Sequence, residues 1–332
     1  MHSLQHLHTF GFNVSANEIV VIKSIADFIS TFKKHKNNNL VILGEGSNTV
    51  FIDNYEGIVF KNELMGIDIT ESSLSYHCRV QSGENWHNLV TYLFERGIFG
   101  LENLALIPGT VGAAPIQNIG AYGLEIEAFI KSVEYIDLES LETITLMHND
   151  CKFGYRDSIF KHELAGKSFI TCVNLVLPKD ALVNASYSPL NQLSQATPAS
   201  IYKKVIETRE SKLPNPKQLG NAGSFFKNPV VSVSQLKALQ DTYPSLPSFP
   251  AGEGLAKIPA AWLIDSLGFK GCKKNGVECY SKQPLVLVNS GDGTGSALLA
   301  LAREIRDKVQ TQFGIELENE VRLMGADQLI RL

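Results

Sequence analysis

The setting of one serine suggests chemistry more strongly than any other feature of the chain. Ser224 lies in Asn221–Pro229, where it follows a glycine, precedes two phenylalanines, and has a lysine and a side-chain amide within four residues. The proline-rich stretch 212–216 and Pro229 bound the segment, which predicts a shaped loop rather than a helix interior. A hydroxyl in this setting can hold a polar substrate and transfer a proton. On these nine residues alone an ordinary turn is the simpler interpretation, with Gly223 supplying backbone freedom and the phenylalanines anchored in a core.

A glycine-rich turn in the first half could bind an anion. Residues Gly44–Asn48 read Gly-Glu-Gly-Ser-Asn and follow the apolar run Leu40–Leu43. Successive backbone N–H groups in such a turn, together with serine and asparagine side chains, form a nest suited to a diphosphate. Thr49 stands where a dinucleotide-binding fingerprint has its third glycine, and the next residues are β-like rather than helical. A tight turn without a ligand is therefore the alternative.

The segment 104–123 is too apolar to be a solvated linker. It carries four glycines, several small residues and the adjacent amides Gln117 and Asn118. Such a composition allows the backbone to approach a flat, hydrogen-bonding ligand closely. A buried structural crossover explains the segment equally well.

An arginine in the middle of the chain could recognise a carboxylate. Arg156 lies between Tyr155 and Asp157 in the sequence Gly-Tyr-Arg-Asp-Ser. A guanidinium can bind a carboxylate through two parallel hydrogen bonds. An ion pair with Asp157 at a surface turn is the commoner role of a lone arginine.

Charged residues alternate near the C-terminus. Glu316, Glu318, Glu320 and Arg322 would share one face of a strand, because successive strand side chains point to opposite faces. For any one of these glutamates a solvated face is the simpler interpretation. Repulsion on that face would raise the pKa of a carboxyl that was also buried, which is what a proton-donating carboxyl requires.

Regular elements that could position these residues are predicted by hydrophobic periodicity and capping signals. Predicted helices span 25–36, the residues after Gly83 with Trp86 to Phe94, a segment that begins at Pro198, 234–240, 260–267 and 296–313. Predicted strands span 40–43, 49–52, 133–138, 143–147, 168–177, 285–289 and 315–323.

A change of composition near residue 185 predicts two α+β lobes. The boundary between them is expected between about residues 185 and 210.

Composition limits the classes of function. The chain has 332 residues, of which 44% are hydrophobic and 19% charged, with a formal charge of −4 and a pI near 6.1. These values predict a globular protein and argue against a nucleic-acid binder. An anionic ligand would need a local basic cluster, for which the second half offers lysines at 212, 217, 227, 270, 273 and 274.

Cysteine and histidine usage predicts a reducing compartment and no metal. The five cysteines form no C-x-x-C pair, and the eight histidines form no H-E-x-x-H motif. The first residues lack the pattern of a signal peptide, and no apolar run is long enough to span a bilayer. We therefore expect a cytoplasmic protein with no membrane or nucleic-acid partner.

Taken together and in this order, the motifs resemble those of the UDP-N-acetylenolpyruvoylglucosamine reductase (MurB) family, over about Thr9 to Gly325. Tyr187 and the Pro/Ser loop near 243–252 are similar to the family's first type. The resemblance implies a two-lobed α+β FAD-binding domain of the PCMH/vanillyl-alcohol-oxidase kind over 1–184, with subdomains of about 1–62 and 63–184. It implies that 185–205 is a connecting loop and helix, and that 206–332 is a smaller α+β substrate-binding domain whose final strand returns to the flavin site. It also implies non-covalent FAD, NADPH as hydride donor, a UDP-sugar substrate and a monomeric enzyme of peptidoglycan synthesis.

The chemistry implied by the resemblance is reduction of a vinyl ether. N5 of FAD gives hydride to the enolpyruvyl group, which leaves carbanion character beside the substrate carboxylate. Arg156 and a protonated Glu320 would stabilise this charge, and Ser224 would deliver the proton to carbon.

The family's binding residues carry over by matching position. Those expected at the cofactor are Gly46, Ser47, Asn48, Gly109, Thr110, Gly112, Gln117, Asn118, Gly123, Arg209 and Arg322. Those expected at the UDP-sugar are Tyr187, Lys212, Asn228, Phe249, Lys270 and Gln283. Phe249 stands where relatives commonly have tyrosine, so its contact cannot include a hydrogen bond to phosphate. Asn319 replaces a frequent proline, which we expect to be neutral.

Two other interpretations remain open at the level of sequence. One is a different flavin oxidoreductase on the same fold, acting on an alcohol or sugar, which would not need Ser224. Such enzymes often tether flavin covalently, but nothing around His87 or Cys151 supports a tether, and core packing is expected for both. The other is a non-catalytic sugar-nucleotide binding protein, which would be colourless.

Overall fold

The computed structural model describes residues 1–332. The six α-helices are α1 (Ile25–Lys34), α2 (Trp86–Phe94), α3 (Pro198–Lys212), α4 (Val233–Thr242), α5 (Ala260–Ser266) and α6 (Gly295–Phe313). The strands are β1 (His2–Ser3), β2 (Ser15–Ile22), β3 (Leu40–Leu43), β4 (Thr49–Phe51), β5 (Tyr55–Asn62), β6 (Ile67–Glu71), β7 (Ser75–Gln81), β8 (Gly120–Ala121), β9 (Leu124–Glu125), β10 (Ile130–Asp137), β11 (Thr143–Met147), β12 (Ser168–Pro178), β13 (Gly220–Ser224), β14 (Val230–Ser232), β15 (Phe249–Pro250), β16 (Leu255–Lys257), β17 (Lys273–Lys274), β18 (Val277–Cys279), β19 (Val286–Asn289), β20 (Arg322–Met324) and β21 (Leu329–Ile330).

The chain divides into two compact units, each built from more than one segment. Unit 1 comprises Met1–Asn17, Gly46–Gly57 and Lys212–Leu332, and unit 2 comprises Glu18–Glu45 and Ile58–Ser211. The lobes expected from the sequence are each one continuous stretch of chain. Unit 1 instead joins two N-terminal segments to the C-terminal third of the chain. The domain limits expected from the resemblance stay a prediction.

Unit 2 is organised around a five-stranded antiparallel sheet in the order β11-β10-β12-β7-β6. The central strand β12 is buried along most of its length and pairs Val173 with Val133 on one side and with Val80 on the other. Helix α2 begins at the cap residue Asn85, whose side chain accepts the N–H of Asn88. Its apolar face joins the same core as the three valines, as its periodicity predicted.

A second, smaller core of unit 2 lies under α1. Strands β3 and β5 pair in parallel from Leu40 opposite Ile58 to Leu43 opposite Lys61. Phe28 of α1 packs against Phe169 with ring centroids 4.1 Å apart. Strand β3 leads directly into the glycine-rich turn, so this core fixes where the turn begins.

Unit 1 contains the antiparallel sheet β13-β19-β18-β17, a three-stranded sheet β14-β16-β15, and the sheet β21-β20-β4. In the last of these, β20 and β4 run parallel, with Arg322 opposite Thr49. Helix α6 is capped by Thr294 and ends at Gly314 in the left-handed conformation. Its buried face packs in the core of this unit with Phe225 and Phe226.

Most predicted elements are confirmed within a few residues, but two are not. The predicted final strand 315–323 is a ladder only from Arg322 to Met324, although Leu317 is buried and Glu318 exposed, as the alternation predicted. Ser224 is the last residue of strand β13 rather than part of a free loop. Local signals around Gly223 indicate a turn, but pairing with β19 extends the strand to the serine.

Two further features concern membrane-spanning helices and metal sites. None of the helices combines the length and apolar character needed to cross a lipid bilayer. No cluster of three or more histidine, cysteine, aspartate or glutamate side chains has the geometry of a metal site.

Candidate active site

Ser224 is presented by a bulge in strand β13. Asn221 lies opposite Val288 of β19 and Ser224 opposite Val286, so one additional residue is inserted between the two pairs. Gly223 takes φ = +73° there, and its N–H donates to the side-chain oxygen of Asn221 at 3.0 Å. A bulge of this kind bends a strand and redirects the next side chain. Ser224 is consequently only partly buried, and its hydroxyl bonds to no protein group.

The two phenylalanines after Ser224 anchor the segment. Phe225 and Phe226 are each 1% exposed, and their rings meet edge to face at 5.0 Å. The N–H of Phe225 donates to the carbonyl of Leu285 at 2.7 Å. The anchoring role expected for these rings is thus confirmed, and it fixes the serine that precedes them.

The segment carrying Glu320 lies against the serine segment. The N–H of Glu320 donates to the carbonyl of Phe225 at 2.8 Å, and the N–H of Lys227 donates to the carbonyl of Glu318 at 2.9 Å. The ammonium of Lys227 also forms an ion pair with Glu318 at 2.8 Å. Unit 1 therefore brings Ser224 and Glu320 to neighbouring positions of two paired segments.

The same segment also contacts the glycine-rich turn. The Asn48 side chain donates to the carbonyl of Glu320 at 3.3 Å, and the N–H of Arg322 donates to the carbonyl of Asn48 at 2.9 Å. Gly46 has φ = +64°, and a Cβ there would lie 2.1 Å from the carbonyl oxygen of Leu7. Only glycine fits this position, so the end of the turn is tightly shaped.

Thr9 connects the turn to the serine strand, a role that sequence reasoning missed. Its N–H donates to the carbonyl of Gly46 at 3.1 Å, and its hydroxyl donates to the carbonyl of Asn221 at 2.6 Å. In return the N–H of Asn221 donates to the carbonyl of Thr9 at 3.0 Å. A lone threonine near the N-terminus gives no sequence signal, because its partners lie far along the chain.

Unit 2 brings the start of the turn to the apolar segment 104–123. The Glu45 carboxylate accepts hydrogen bonds from the Asn85 side chain at 2.5 Å and from the N–H of Gly109 at 3.0 Å. A Cβ on Gly44 would lie 2.5 Å from the hydroxyl oxygen of Thr110. The N–H of Gly109 is therefore hydrogen-bonded to Glu45. The carboxylate links the glycine-rich turn to the segment 104–123, two motifs that the sequence does not show to be in contact.

Asn118 holds the apolar segment together. It is fully buried at φ = +43°, and its side-chain nitrogen lies within hydrogen-bonding distance of the Glu125 and Glu127 carboxylates and the carbonyl of Gly154. Its side-chain oxygen accepts the N–H of Glu127. These bonds shape the loop, so the amide of Asn118 is engaged within the protein rather than directed at a ligand.

Arg156 is fastened to the same segment. It takes φ = +54°, and its guanidinium donates to the carbonyl of Gly120 at 2.8 Å. The hydroxyl of Ser158 donates to the carbonyl of Ile116 at 2.7 Å. Asp157 contacts the ring of His162 at 2.8 Å. The Gly-Tyr-Arg-Asp-Ser motif and the segment 104–123 thus form one hydrogen-bonded assembly.

Arg209 of α3 adds a second cation to this assembly. Its Nε donates to the carbonyl of Leu106 at 3.2 Å. Burial lowers the pKa of Arg209, with Arg156 lowering it further and Tyr122 opposing the shift. Two guanidinium groups that repel each other in partly dry surroundings favour an anionic ligand.

Tyr187, Asn228 and Gly112 are three further predicted site residues. Tyr187 is 43% exposed, with its ring 6.4 Å from that of Tyr122 and its Cβ near Gly123. In unit 1, the Asn228 side chain accepts the N–H of Ala260 at 2.9 Å and so caps α5. Gly112 lies against Ser82, where a Cβ would be 2.4 Å from the serine Cβ.

Other substrate positions lie in unit 1. Lys270 pairs with Asp265 at 3.2 Å, and the Gln283 side chain accepts the N–H of Leu285 at 3.4 Å. Phe249 lies in β15 and is 42% exposed. Lys212 is the last residue of α3.

The predicted site residues therefore fall into two groups. Unit 1 contains Ser224, Glu320, Gly46, Ser47, Asn48, Arg322, Lys212, Asn228, Phe249, Lys270 and Gln283. Unit 2 contains Arg156, Gly109, Thr110, Gly112, Gln117, Asn118, Gly123, Arg209 and Tyr187.

The two residues considered as flavin tethers have different surroundings. Cys151 is fully buried in the core of unit 2, as expected. His87 is only half-buried and accepts the N–H of Leu106 on Nδ1 at 3.0 Å. The expectation of plain core packing is therefore wrong for His87, because no local signal reveals a partner nineteen residues away.

The fold and the glycine-rich turn define the chain as a flavoprotein with an FAD-binding domain. The FAD binding domain profile matches residues 16–144, and the profile of the UDP-N-acetylenolpyruvoylglucosamine reductase C-terminal domain matches residues 215–324. The predicted two-part α+β fold with an FAD-binding domain is thereby confirmed.

Relatives then identify the family. UDP-N-acetylenolpyruvoylglucosamine reductase from Pseudoalteromonas atlantica is 49% identical over 98% of this chain and 94% of its own length. The enzyme of the same name from Escherichia coli K12 is 41% identical over 98% and 96%. The crystal structure of MurB from Thermus caldophilus has the same fold, with a TM-score of 0.68 at 21% identity and 97% coverage of both chains. The chain belongs to the UDP-N-acetylenolpyruvoylglucosamine reductase family.

The residues around the glycine-rich turn fit an FAD diphosphate. Gly46 lets the backbone of Leu7 and His8 pack directly against the turn, and His8 is 3% exposed with no hydrogen-bond partner for Nδ1. Arg322 follows in the adjacent strand, and burial lowers its pKa, with Tyr55 opposing the shift. A buried guanidinium gains stability when an anion binds near it.

Proposed function

We propose that the protein reduces the enolpyruvyl ether of UDP-N-acetylglucosamine enolpyruvate to UDP-N-acetylmuramate, with NADPH as reductant, in peptidoglycan precursor synthesis. Membership of the reductase family supports the overall reaction. The observation that carries the assignment of roles is the pairing of the serine segment with the glutamate segment, since it brings a hydroxyl and a carboxyl to neighbouring positions.

FAD supplies the redox chemistry when bound, because it accepts hydride from NADPH and passes hydride to the substrate double bond. The proposed holders of its diphosphate are Gly46, Ser47 and Asn48, with Arg322 nearby. Gly109, Thr110, Gly112, Gln117, Asn118, Gly123 and Arg209 would form the rest of the cofactor site, with Asn118 contributing through the loop shape that it maintains.

Ser224 delivers the proton that completes the reduction. Addition of hydride to the terminal carbon leaves a carbanion next to the substrate carboxylate, and this carbon must receive one proton on one face. The Ser224 hydroxyl suits this task because the bulge at Gly223 exposes it while Phe225 holds the backbone in place. A positioned general acid of this kind contributes on the order of 10²- to 10⁴-fold.

Arg156 and Glu320 stabilise the charge that develops on the substrate carboxylate. The guanidinium of Arg156 is held by the carbonyl of Gly120, so its orientation is fixed before substrate binds. Glu320, acting in its protonated form, donates a hydrogen bond to the enolate. Fixed donors of this kind stabilise a transition state without reorganising during the reaction.

Six side chains are proposed to recognise the UDP-sugar. Lys212 and Lys270 supply positive charge for the diphosphate, and Tyr187, Asn228 and Gln283 supply polar contacts. Phe249 covers the substrate with an apolar ring instead of the phenol that relatives commonly carry, so its contact is limited to van der Waals packing. A monomeric state stays a prediction, which light scattering would check.

A two-step anaerobic experiment tests this proposal. The FAD-loaded protein is first reduced with NADPH, and the UDP-enolpyruvyl sugar is then added while flavin absorbance is followed. We expect rapid reoxidation by the wild-type protein. Ser224→Ala should be reduced at nearly the normal rate and reoxidised at least about 10²-fold more slowly.

The exposed serine Ser296, in helix α6 of the same unit, gives a matched control. Ser296→Ala should behave as wild type in both steps. Normal reoxidation of the Ser224→Ala protein would exclude Ser224 as the proton donor. Absence of flavin reoxidation by this substrate in the wild-type protein would exclude the proposed reaction itself.

A further inference from the structure

Leu106 adopts a backbone conformation that needs external support. Its φ is +59°, in the left-handed region that a leucine enters at a cost of about 1–2 kcal/mol. It stands two residues before Pro108-Gly109-Thr110, the first part of the apolar segment expected at the cofactor. An energetic cost at this position persists only where neighbouring groups fix the conformation.

Two side chains of unit 2 hold this residue from both sides. Nδ1 of His87 accepts the N–H of Leu106 at 3.0 Å, and Nε of Arg209 donates to its carbonyl at 3.2 Å. Because the amide can only donate, the His87 Nδ1 must be unprotonated and its proton must lie on Nε2. The ring is stacked on Tyr202 with centroids 6.4 Å apart.

His87 is itself firmly placed beside the rest of the segment. It is the second residue of α2, and the N-cap residue of this helix, Asn85, forms an isolated antiparallel β-bridge with Thr110. The N–H of Trp86 donates to the carbonyl of Gly109 at 2.9 Å. The start of α2 therefore contacts the segment at Leu106, Gly109 and Thr110, so a change at His87 acts on one end of a loop whose other end is fixed.

We propose that His87 is a positioning residue whose neutral ring accepts the N–H of Leu106 and thereby holds the segment 106–110 in the conformation that binds FAD. This inference rests on the proposed function only in assigning the segment to the cofactor. The bond between His87 and Leu106 is independent of that assignment.

The surroundings of His87 favour the neutral ring. Burial lowers its pKa, and the positive charge of Arg209 lowers it further. The Tyr202 ring stacks on the imidazole, and Arg209 is the charged group that acts on its pKa. As pH falls, protonation of Nδ1 would remove the acceptor and place a second cation beside Arg209, so FAD affinity should fall as well.

The first test measures FAD binding to apoprotein by calorimetry at pH 7.5 and pH 5.0. His87→Ala should weaken binding about tenfold at pH 7.5, because the N–H of Leu106 loses its partner. His87→Asn places an amide oxygen near the position of Nδ1, so its affinity at pH 7.5 should stay within about threefold of wild type. The wild-type affinity should fall several-fold at pH 5.0, and the His87→Asn affinity should change less.

His77, in strand β7 of the same unit, provides matched controls with no side-chain hydrogen bond. His77→Ala and His77→Asn should retain both the affinity and the pH dependence of the wild type. Wild-type affinity in His87→Ala, or an unchanged pH dependence in His87→Asn, would overturn the proposal.

The second test needs no cofactor. Hydrogen exchange of the Leu106 amide in apoprotein should be slow in wild type and His87→Asn and fast in His87→Ala. Fast exchange in wild type would overturn the proposal even if FAD bound well. Failure of the wild-type protein to bind FAD, with a protected Leu106 amide, would instead count against the assigned cofactor segment, and hence against both proposals, while leaving the bond itself established.

Discussion

The N–H of Glu320 donates a 2.8 Å hydrogen bond to the carbonyl of Phe225, the residue that follows Ser224. Two segments separated by almost a hundred residues in sequence are thereby paired at the positions from which a proton donor and a carboxyl are proposed to act. The bond joins backbone groups only, so substitution of the Ser224 or the Glu320 side chain should leave the pairing of the two segments intact. This makes the chemical roles of the two side chains separable from their structural setting.

Removal of the Glu320 carboxyl should slow reoxidation of reduced flavin by substrate. We expect a loss of about 10²-fold or more for Glu320→Ala and a smaller loss for Glu320→Gln, because the amide can still donate a hydrogen bond. Reduction by NADPH should be nearly unchanged. Stopped-flow absorbance of the two half-reactions makes the measurement.

Glu318 is a close control for Glu320, since it lies two residues away and is exposed. Its ion pair with Lys227 is partly exposed and contributes at most about 1 kcal/mol. Glu318→Gln should therefore leave both half-reactions within about twofold of wild type. Equal losses in the Glu318 and Glu320 variants would point to a damaged segment instead of a chemical role.

Loss of the Arg156 guanidinium should affect the same half-reaction. Arg156→Ala should slow substrate-driven reoxidation by about 10²-fold, because charge on the carboxylate loses a fixed cation. Arg156→Lys should recover only part of the rate, since an ammonium cannot form two parallel bonds to a carboxylate. Arg96→Ala, which removes an exposed arginine stacked on Tyr92, serves as the control and should be neutral.

Gly46→Ala should weaken FAD binding and destabilise the fold. The new Cβ would lie 2.1 Å from the carbonyl oxygen of Leu7, in addition to the strain of φ = +64°. Gly97 has a similar φ of +72° but nothing within 4 Å of its Cβ position. Gly97→Ala should therefore lower the free energy of unfolding in urea by the conformational cost alone, about 1–2 kcal/mol. Gly46→Ala should lower the free energy of unfolding by more than Gly97→Ala does. Equal costs would show that the contact with Leu7 relaxes.

Stability should fall in mild acid because of His8. Burial lowers its pKa from 6.5 to about 4, so the unfolded chain binds a proton at a pH where the folded protein does not. The contribution of the neutral ring is complete above pH 6.5 and is lost as the pH falls towards 4. At ~1.4 kcal/mol per pKa unit the loss amounts to roughly 3 kcal/mol.

Unfolding by urea at several pH values checks this dependence. His8→Gln should flatten the profile between pH 6.5 and pH 4, and the exposed His6→Gln should leave it unchanged. A profile in His8→Gln as steep as that of wild type would assign the acid sensitivity to another group.

Local signals were sufficient for most elements of the chain. Ser24, Thr197 and Pro198 marked helix starts, and apolar spacing predicted the buried face of α2. These signals depend on bonds between residues a few positions apart, so they are readable in sequence. The final strand was predicted too long because alternation of burial continues through Leu317, where no neighbouring strand supplies a ladder.

The sequence by itself determined the family-specific motifs and the types of side chain available for chemistry. Only the tertiary structure decided which of these residues meet. It showed that Thr9 joins Gly46 to Asn221, that Glu45 engages the N–H of Gly109, and that His87 holds Leu106. Each of these contacts joins residues distant in sequence. Their pairing is set by how sheets and loops pack together, and no local pattern of residue types encodes it.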